Sequence, residues 1–173
     1  MTVTLTKARI RKLFQALNRE LAREKVTGEV YLVGGAVMCL ALNARASTMD
    51  VGAYFEPKEK VREAARRVAA ANRLEDRWLN DAVKAFLSER GTFDAYLELS
   101  NLRVFTAQPE YLLAMKCLSF RIGPEFTDEA DVRFLLRYLN VETFEEAIEI
   151  VERYYPRKLI PQKTFYALRE LLG

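Results

Sequence analysis

The sequence predicts a mixed α/β fold: a small mixed sheet with helices on one face, continued by an α-helical region. Three observations carry this reading. Over residues 6–105 the apolar spacing switches repeatedly between the 3.6-residue period of a helix and the two-residue period of a half-buried strand. From Pro109 onward only the helical period remains. The 173 residues are 50% apolar and 29% charged, the composition of a folded chain the size of one domain. We place an α/β core in 1–108 and a helical region in 109–173, sharing one core or two closely packed ones, with no repeat or low-complexity stretch.

Ile10, Leu13, Phe14, Leu17 and Leu21 fall on one face of a helix over 6–24, which Thr27 and Gly28 end. Residues 29–33 form a β-rich run that stops at Gly34 and Gly35, and 36–43 then read as a buried helix, apolar through Leu42. After a loop at 44–48, residues 49–55 alternate, with Val51, Ala53 and Phe55 on one side and Asp50, Gly52 and Tyr54 on the other. Pro57 opens a helix whose core stripe is Val61, Ala64, Ala65 and Val68. A short helix is expected over 78–87. Residues 92–99 alternate again, setting Phe93, Ala95, Leu97 and Leu99 against Asp94, Tyr96 and Glu98, and Asn101 turns the chain into a brief strand at 102–105. Four helices follow, over 109–122, 127–139, 143–154 and 161–171. Thr143 and Glu146 form a capping box at the third.

The chain contains no histidine. That removes the commonest neutral-pH general base and the commonest metal ligand together, and with them Ser-His-Asp hydrolases, Cys-His proteases and His-containing zinc sites. Carboxylate, Lys, Tyr, thiol and backbone chemistry remain. Cys39 and Cys117 lie in apolar runs without CxxC spacing and read as buried thiols of a reducing cytoplasm. No stretch approaches the ~20 apolar residues needed to span a bilayer, so a soluble cytoplasmic protein is expected. Lys and Arg number 27 against 24 Asp and Glu, a net +3 that tolerates a polyanionic partner without demanding one.

The stretch Tyr31-Leu32-Val33-Gly34-Gly35-Ala36, followed by Arg45-Ala46-Ser47-Thr48-Met49-Asp50-Val51, resembles the opening of nucleotidyltransferases of the DNA polymerase β type. In particular it is similar to compact bacterial members related to toxin/antitoxin nucleotidyltransferases. The pattern of that family is a strand, a Gly-Gly or Gly-Ser turn at a helix start, and a strand bearing two acids as Asp-x-Asp, often preceded by Arg-x-Thr. A weaker similarity reaches Leu112-Leu113-Ala114-Met115-Lys116, Arg121, Asp128 and Asp131, so the likeness spans 31–139. It implies the polymerase β nucleotidyltransferase fold. It also implies Mg²⁺-dependent transfer of a nucleoside monophosphate from an NTP to a hydroxyl of an RNA, a protein or a small molecule.

The physics of the pattern stands apart from the family name. A glycine pair at a strand-to-helix junction lets the backbone approach phosphate oxygens, although a tight turn packed on the sheet explains it as well. Gly34 and Gly35 are the candidate phosphate cradle. Two acids at i and i+2 of a strand share a face and hold Mg²⁺ ions that activate a hydroxyl and neutralise a leaving pyrophosphate. Asp50 fills the first place as metal ligand, but Gly52 fills the second, so the expected catalysis is weak or absent. Three explanations stand open: a naturally degenerate relative, a deliberately inactivated variant, or an enzyme whose metal site is completed differently.

The family's third acid comes from a later strand. Glu98 and Asp94 share the polar parity of 92–99 and are the candidates for general base or second ligand, Glu98 preferred for its place at the strand centre; a solvated strand face accounts for either equally. Arg45 and Thr48 resemble the approach to the acids, where the Arg fixes the acid, pairs with a phosphate or ties down its own loop. Lys116 reaches for a triphosphate or, as the first-ranked structural alternative, pairs with Asp131 or Asp128. The run Arg153-Tyr154-Tyr155-Pro156-Arg157-Lys158, with Lys163, mixes cations and aromatics as single-stranded RNA surfaces do; a connector whose tyrosines pack on the core is simpler. Trp78, Phe86 and Phe93 are core residues by default. The expected function is therefore a degenerate nucleotidyltransferase, with a non-catalytic module binding nucleotide, RNA or a partner protein as the alternative.

Overall fold

The computed structural model describes residues 4–121, 126 and 128–173. The chain divides into two compact units, Met1–Ala85 with Phe93–Ala107, and Phe86–Thr92 with Gln108–Gly173. The first unit is mixed α/β and the second helical. The division is thus not a single cut at 108: the short segment 86–92 belongs to the helical unit.

The α/β unit opens with β1 (Leu5–Thr6) and α1 (Lys7–Arg23). Thr6 caps α1, its hydroxyl accepting from the Arg9 N–H at 3.2 Å, and Ile10, Leu13, Phe14, Leu17 and Leu21 are all buried as the period requires. Then come β2 (Gly28–Leu32), α2 (Gly35–Leu40), β3 (Ser47–Thr48), β4 (Val51–Glu56), α3 (Lys58–Asn72), β5 (Leu79–Asn80), β6 (Phe93–Glu98) and β7 (Leu102–Ala107). The main sheet runs β5-β4-β2-β7-β6, while β1 and β3 form a separate antiparallel pair. The main sheet is mixed, since β2 is antiparallel to β4 and parallel to β7, β4 is parallel to β5, and β6 is antiparallel to β7.

The strand alternation decides which face is covered. A Cβ on Gly28 would lie 2.9 Å from Leu21 Cδ1 and 3.1 Å from Val61 Cγ2, so the parity of Gly28, Val30 and Leu32 faces α1 and α3. Val51, Ala53, Phe55, Leu102 and Val104 complete that buried layer. The opposite parity carries Tyr31, stacked on Phe105 with ring centroids 4.8 Å apart and tilted against Tyr54 at 6.0 Å.

Four local expectations are corrected. Residues 78–87 are not a helix: a 3₁₀ turn at Asp76–Trp78 leads into β5, and a second turn covers Ala82–Phe86. Leu79 and Asn80 instead pair with Val51 and Gly52 of β4, although Leu79, Ala82, Val83, Phe86 and Leu87 keep the helical spacing: the sheet edge overrides the local period. Phe86 is 38% exposed rather than core, since none of the second turn is buried. The loop at 44–48 contains β3. In β6 a bulge falls between Ala95 and Leu97, so Asp94 opposes Thr106 whereas Glu98 opposes Arg103. Those partners are three residues apart, and the two acids therefore point to opposite faces despite their shared parity in the sequence.

In the helical unit, α4 (Pro109–Leu118) is buried from Tyr111 through Cys117 and packs against α5 (Asp128–Tyr138) and α6 (Phe144–Glu152); α7 (Gln162–Leu172) packs on α6. The capping box of Thr143 and Glu146 is formed. Segment 86–92 is tied in by hydrogen bonds, the Ser88 N–H donating to Tyr111 Oη at 2.9 Å and the Tyr155 hydroxyl to the Phe86 carbonyl. The expected helix ends at Ile122 and Thr127 lie outside the described residues. Among the described residues no helix is long and apolar enough to cross a membrane.

Candidate functional site

The glycine pair occupies the end of β2. The Val33 N–H donates to the Gly52 carbonyl at 3.1 Å, extending the pairing of β2 with β4 and setting the turn beside Gly52. Gly34 has φ +79° and ψ −145°, a conformation open essentially to glycine alone. At Gly35 the missing side chain has a different use. A Cβ there would lie 2.9 Å from Arg45 Nη1 and 3.0 Å from Thr48 Oγ1, so a guanidinium and a hydroxyl close directly onto the turn. The helix that follows has six residues, and its dipole is correspondingly small.

Thr48 is buried, and its hydroxyl donates to the Asp50 carbonyl at 3.2 Å. Asp50 sits exposed just before β4. Its Oδ2 accepts from Asn80 Nδ2 at 3.0 Å, and Asn80 is itself fixed, Nδ2 reaching the Arg77 carbonyl at 3.0 Å and Oδ1 accepting from the Ala82 N–H at 3.2 Å. Gly52 is the register partner of Asn80. A Cβ on Gly52 would meet Val83 Cγ1 at 3.3 Å and the Val33 carbonyl at 3.6 Å, a fit that needs only a small shift of Val83.

The structure thus gathers Gly34, Gly35, Arg45, Thr48 and Asp50 into one corner. It does not bring Glu98 there. Glu98 shares a rung with Arg103 and Glu29, and Glu29 is paired with Glu56, four residues along β4 from Gly52. Three strand spacings and four residues of rise separate Glu98 from Gly52 by roughly 20 Å. Asp94 lies on the rung of Thr106, Leu32 and Ala53, at the glycine end of the sheet but on the parity of Ala53 rather than Gly52. Lys116 belongs to the helical unit, where it is 9% exposed and lies 2.9 Å from Asp131 and 3.3 Å from Asp128. Arg121 clasps Asp128 from the other side at 2.9 Å. Tyr154 and Tyr155 are buried, so the mixed run 153–158 offers no rings for stacking on bases.

Sequence reasoning missed Asn80 and its neighbour Asp81. The usable signal was the Asn-Asp pair itself, since both residues favour turns and strand ends over a helix interior. Asp81 is held by Arg62 at 3.2 Å and Lys58 at 3.5 Å. Burial pushes its carboxyl up, but Lys84, Arg62 and Lys58 outweigh that and hold it below the ordinary value.

The donors at Asp50 are therefore one carboxylate and one amide. Among the described residues no three of His, Cys, Asp and Glu gather to hold a metal ion. The residues present do not fit a two-metal arrangement. Scans of the chain against protein-family models, curated proteins and solved structures find no match.

Proposed function

We propose that this chain is a nucleotidyltransferase-like protein on a polymerase β-like scaffold, whose glycine corner binds the phosphates of a nucleotide and whose transfer activity is weak or absent. The supporting observation is the convergence at Gly35, where Arg45 and Thr48 come within about a hydrogen-bond length of the space a side chain would fill. Phosphate oxygens are bound by donors and positive charge on a backbone that can be approached closely, and this corner has a guanidinium and two side-chain-free residues, the Thr48 hydroxyl proton being spent on the Asp50 carbonyl.

Binding is favoured over catalysis by what surrounds Asp50. Nucleotidyl transfer forms a bond from a deprotonated hydroxyl to the α-phosphorus and breaks the bond to pyrophosphate, and the negative charge that develops must be neutralised. Gly52 contributes no ligand, and the Asp50 carboxylate is engaged by a neutral amide instead of a second acid. A regulatory module that keeps a nucleotide site without turning the nucleotide over fits these residues best.

Two measurements test the reading. Thermal melts with each NTP, with and without Mg²⁺, should show nucleotide-dependent stabilisation that Arg45→Ala removes; no shift with any nucleotide would refute the site. The Gly52→Asp variant, whose Cβ needs only a small shift of Val83, should gain label transfer from α-labelled NTP to cellular RNA or to itself. Transfer by the unaltered chain at the same rate would overturn the inactivity.

A further inference from the structure

Charge in this chain is sorted by element. Residues 4–27 and 57–73, which contain α1 and α3, carry 13 Lys and Arg against 4 Asp and Glu, a net +9. With the whole chain at +3, the remainder carries −6. The two helices lie antiparallel and side by side. Arg9 donates to the Asn72 carbonyl at 3.3 Å near one end, and Lys60 meets Glu24 at 3.3 Å near the other. The acids are largely consumed within this layer: Arg67 bridges Glu20 at 3.1 Å and Glu24 at 3.4 Å, and Arg62 holds Glu59 at 2.8 Å. Lys12, Arg19 and Arg66 stand exposed and make no ion pair among the described residues.

We propose that the outer surface of α1 and α3 docks the phosphodiester backbone of a double-stranded nucleic acid without reading its sequence. A polyanion is the partner that a concentrated positive field on a chain of otherwise negative charge selects. An anionic membrane fits less well. Surface-lying helices bind bilayers by inserting an apolar face, and the apolar face of α1 is spent on the core, Ile10, Leu13, Phe14, Leu17 and Leu21 each being at most 1% exposed. A single strand fits less well too, because stacking on unpaired bases needs exposed rings and the single aromatic residue of the two helices is the buried Phe14. Eight of the 13 cations are arginines, whose fork grips a phosphate at two points. This surface is independent of the glycine corner, and either proposal stands if the other fails.

The test is fluorescence anisotropy of the full chain with labelled RNA and DNA duplexes of unrelated sequences, across a salt series. Binding should be indifferent to sequence and fall steeply with salt. The combined Lys12→Glu, Arg19→Glu and Arg66→Glu variant should lose at least ~10-fold in affinity and shallow the log–log salt slope by about 3. Its melting curve and its response to nucleotides should stay those of the unaltered chain. Preference for RNA or for DNA assigns the source of the backbone. The control Arg133→Glu, Arg137→Glu and Arg153→Glu, equal in charge but in the helical unit, should bind as before. An equal loss in the control, no binding at low salt, competition by polyglutamate as effective as by duplex, or capture by anionic vesicles instead would each overturn the proposal.

Discussion

The Asn80 side-chain amide donates to the Asp50 carboxylate at 3.0 Å, across the parallel pair of β5 and β4, where Gly52 stands opposite Asn80 in register. A neutral donor therefore steadies a lone carboxylate at the point where two acids would otherwise crowd. Asn80→Asp deletes the donor and sets a second carboxylate against the first, and two such groups in contact resist joint ionisation. Repulsion of this kind raises the folded-state proton affinity, so the variant's stability should be lost as pH rises. Relative to the unaltered chain it should melt about 3 °C lower at pH 7 and be nearly equal at pH 4. Mg²⁺ should restore more of the loss in the variant than in the parent. Equal deficits at both pH values would exclude the repulsion.

Gly91→Ala should be far more disruptive than its half-buried setting suggests. The new methyl would fall 2.5 Å from Cε2 of Tyr111, a fully buried ring that stacks on Tyr154 with centroids 5.0 Å apart. With its hydroxyl also receiving the Ser88 N–H, the ring has no room to retreat, and a loss of about 2–3 kcal/mol is expected. Gly34→Ala meets nothing within 4 Å, and its cost, about 1–3 kcal/mol, comes from the backbone conformation alone. Chemical denaturation of both variants checks the pair. An unchanged midpoint for Gly91→Ala would remove the ring contact as the reason for a glycine there.

Acid sensitivity should reside partly in Asp128, 1% exposed between Lys116 and Arg121. Burial pushes its carboxyl up, but the hydrogen bond from Arg121 and the charges of Lys116 and Arg121 more than offset this and hold it below the ordinary value. A depressed folded value means that the stabilisation is complete above the unfolded carboxyl's range and drains away as pH falls through the folded one, below about pH 4. Asp128→Asn should cost roughly 2 kcal/mol at pH 7 by removing the charge-assisted bonds to Arg121 and Lys116, with Lys116 keeping Asp131 at 2.9 Å, and should flatten the acid limb of the stability curve. A variant that keeps the parent's acid limb would place the sensitive carboxylate elsewhere.

What was legible in the sequence is what local chemistry decides. The apolar stripe of α1, the capping box of α6 and the strand-turn-helix around Gly34 each depend on residues a few positions apart, and each formed. The strand β5 was not legible, because two residues carry no period of their own and become a strand only by lying beside β4. The bulge in β6 was equally hidden: Phe93, Ala95, Leu97 and Leu99 alternate without a break in the sequence, and the skipped register exists only against β7. The candidate site divides the same way. Gly34 to Asp50 is one contiguous stretch and could be read, whereas Asn80 arrives from 30 residues away through sheet pairing, and the choice between Glu98 and Asp94 turned on the unseen bulge.

Helix α7 is lightly held. Of its 11 residues only Thr164 and Leu168 are buried, and the Thr164 hydroxyl donates to the Cys117 carbonyl of α4 at 2.6 Å. Cys117 is fully buried, and burial pushes its thiol up to about 12; burial raises Cys39 as well, against the pull of Lys7 and Arg45. Neither thiol should react with an alkylating reagent at pH 8 until the protein opens. Thr164→Val keeps the shape but leaves the carbonyl unpaired, at about 1–3 kcal/mol. Because labelling through a transient opening follows the free energy of that opening, Cys117 should react roughly 10-fold faster or more in the variant. Cys39, in the other unit, should keep its parental rate if the loosening is confined to α7. Equal acceleration at both thiols would show instead that the hydrogen bond supports the whole fold and that α7 does not open by itself.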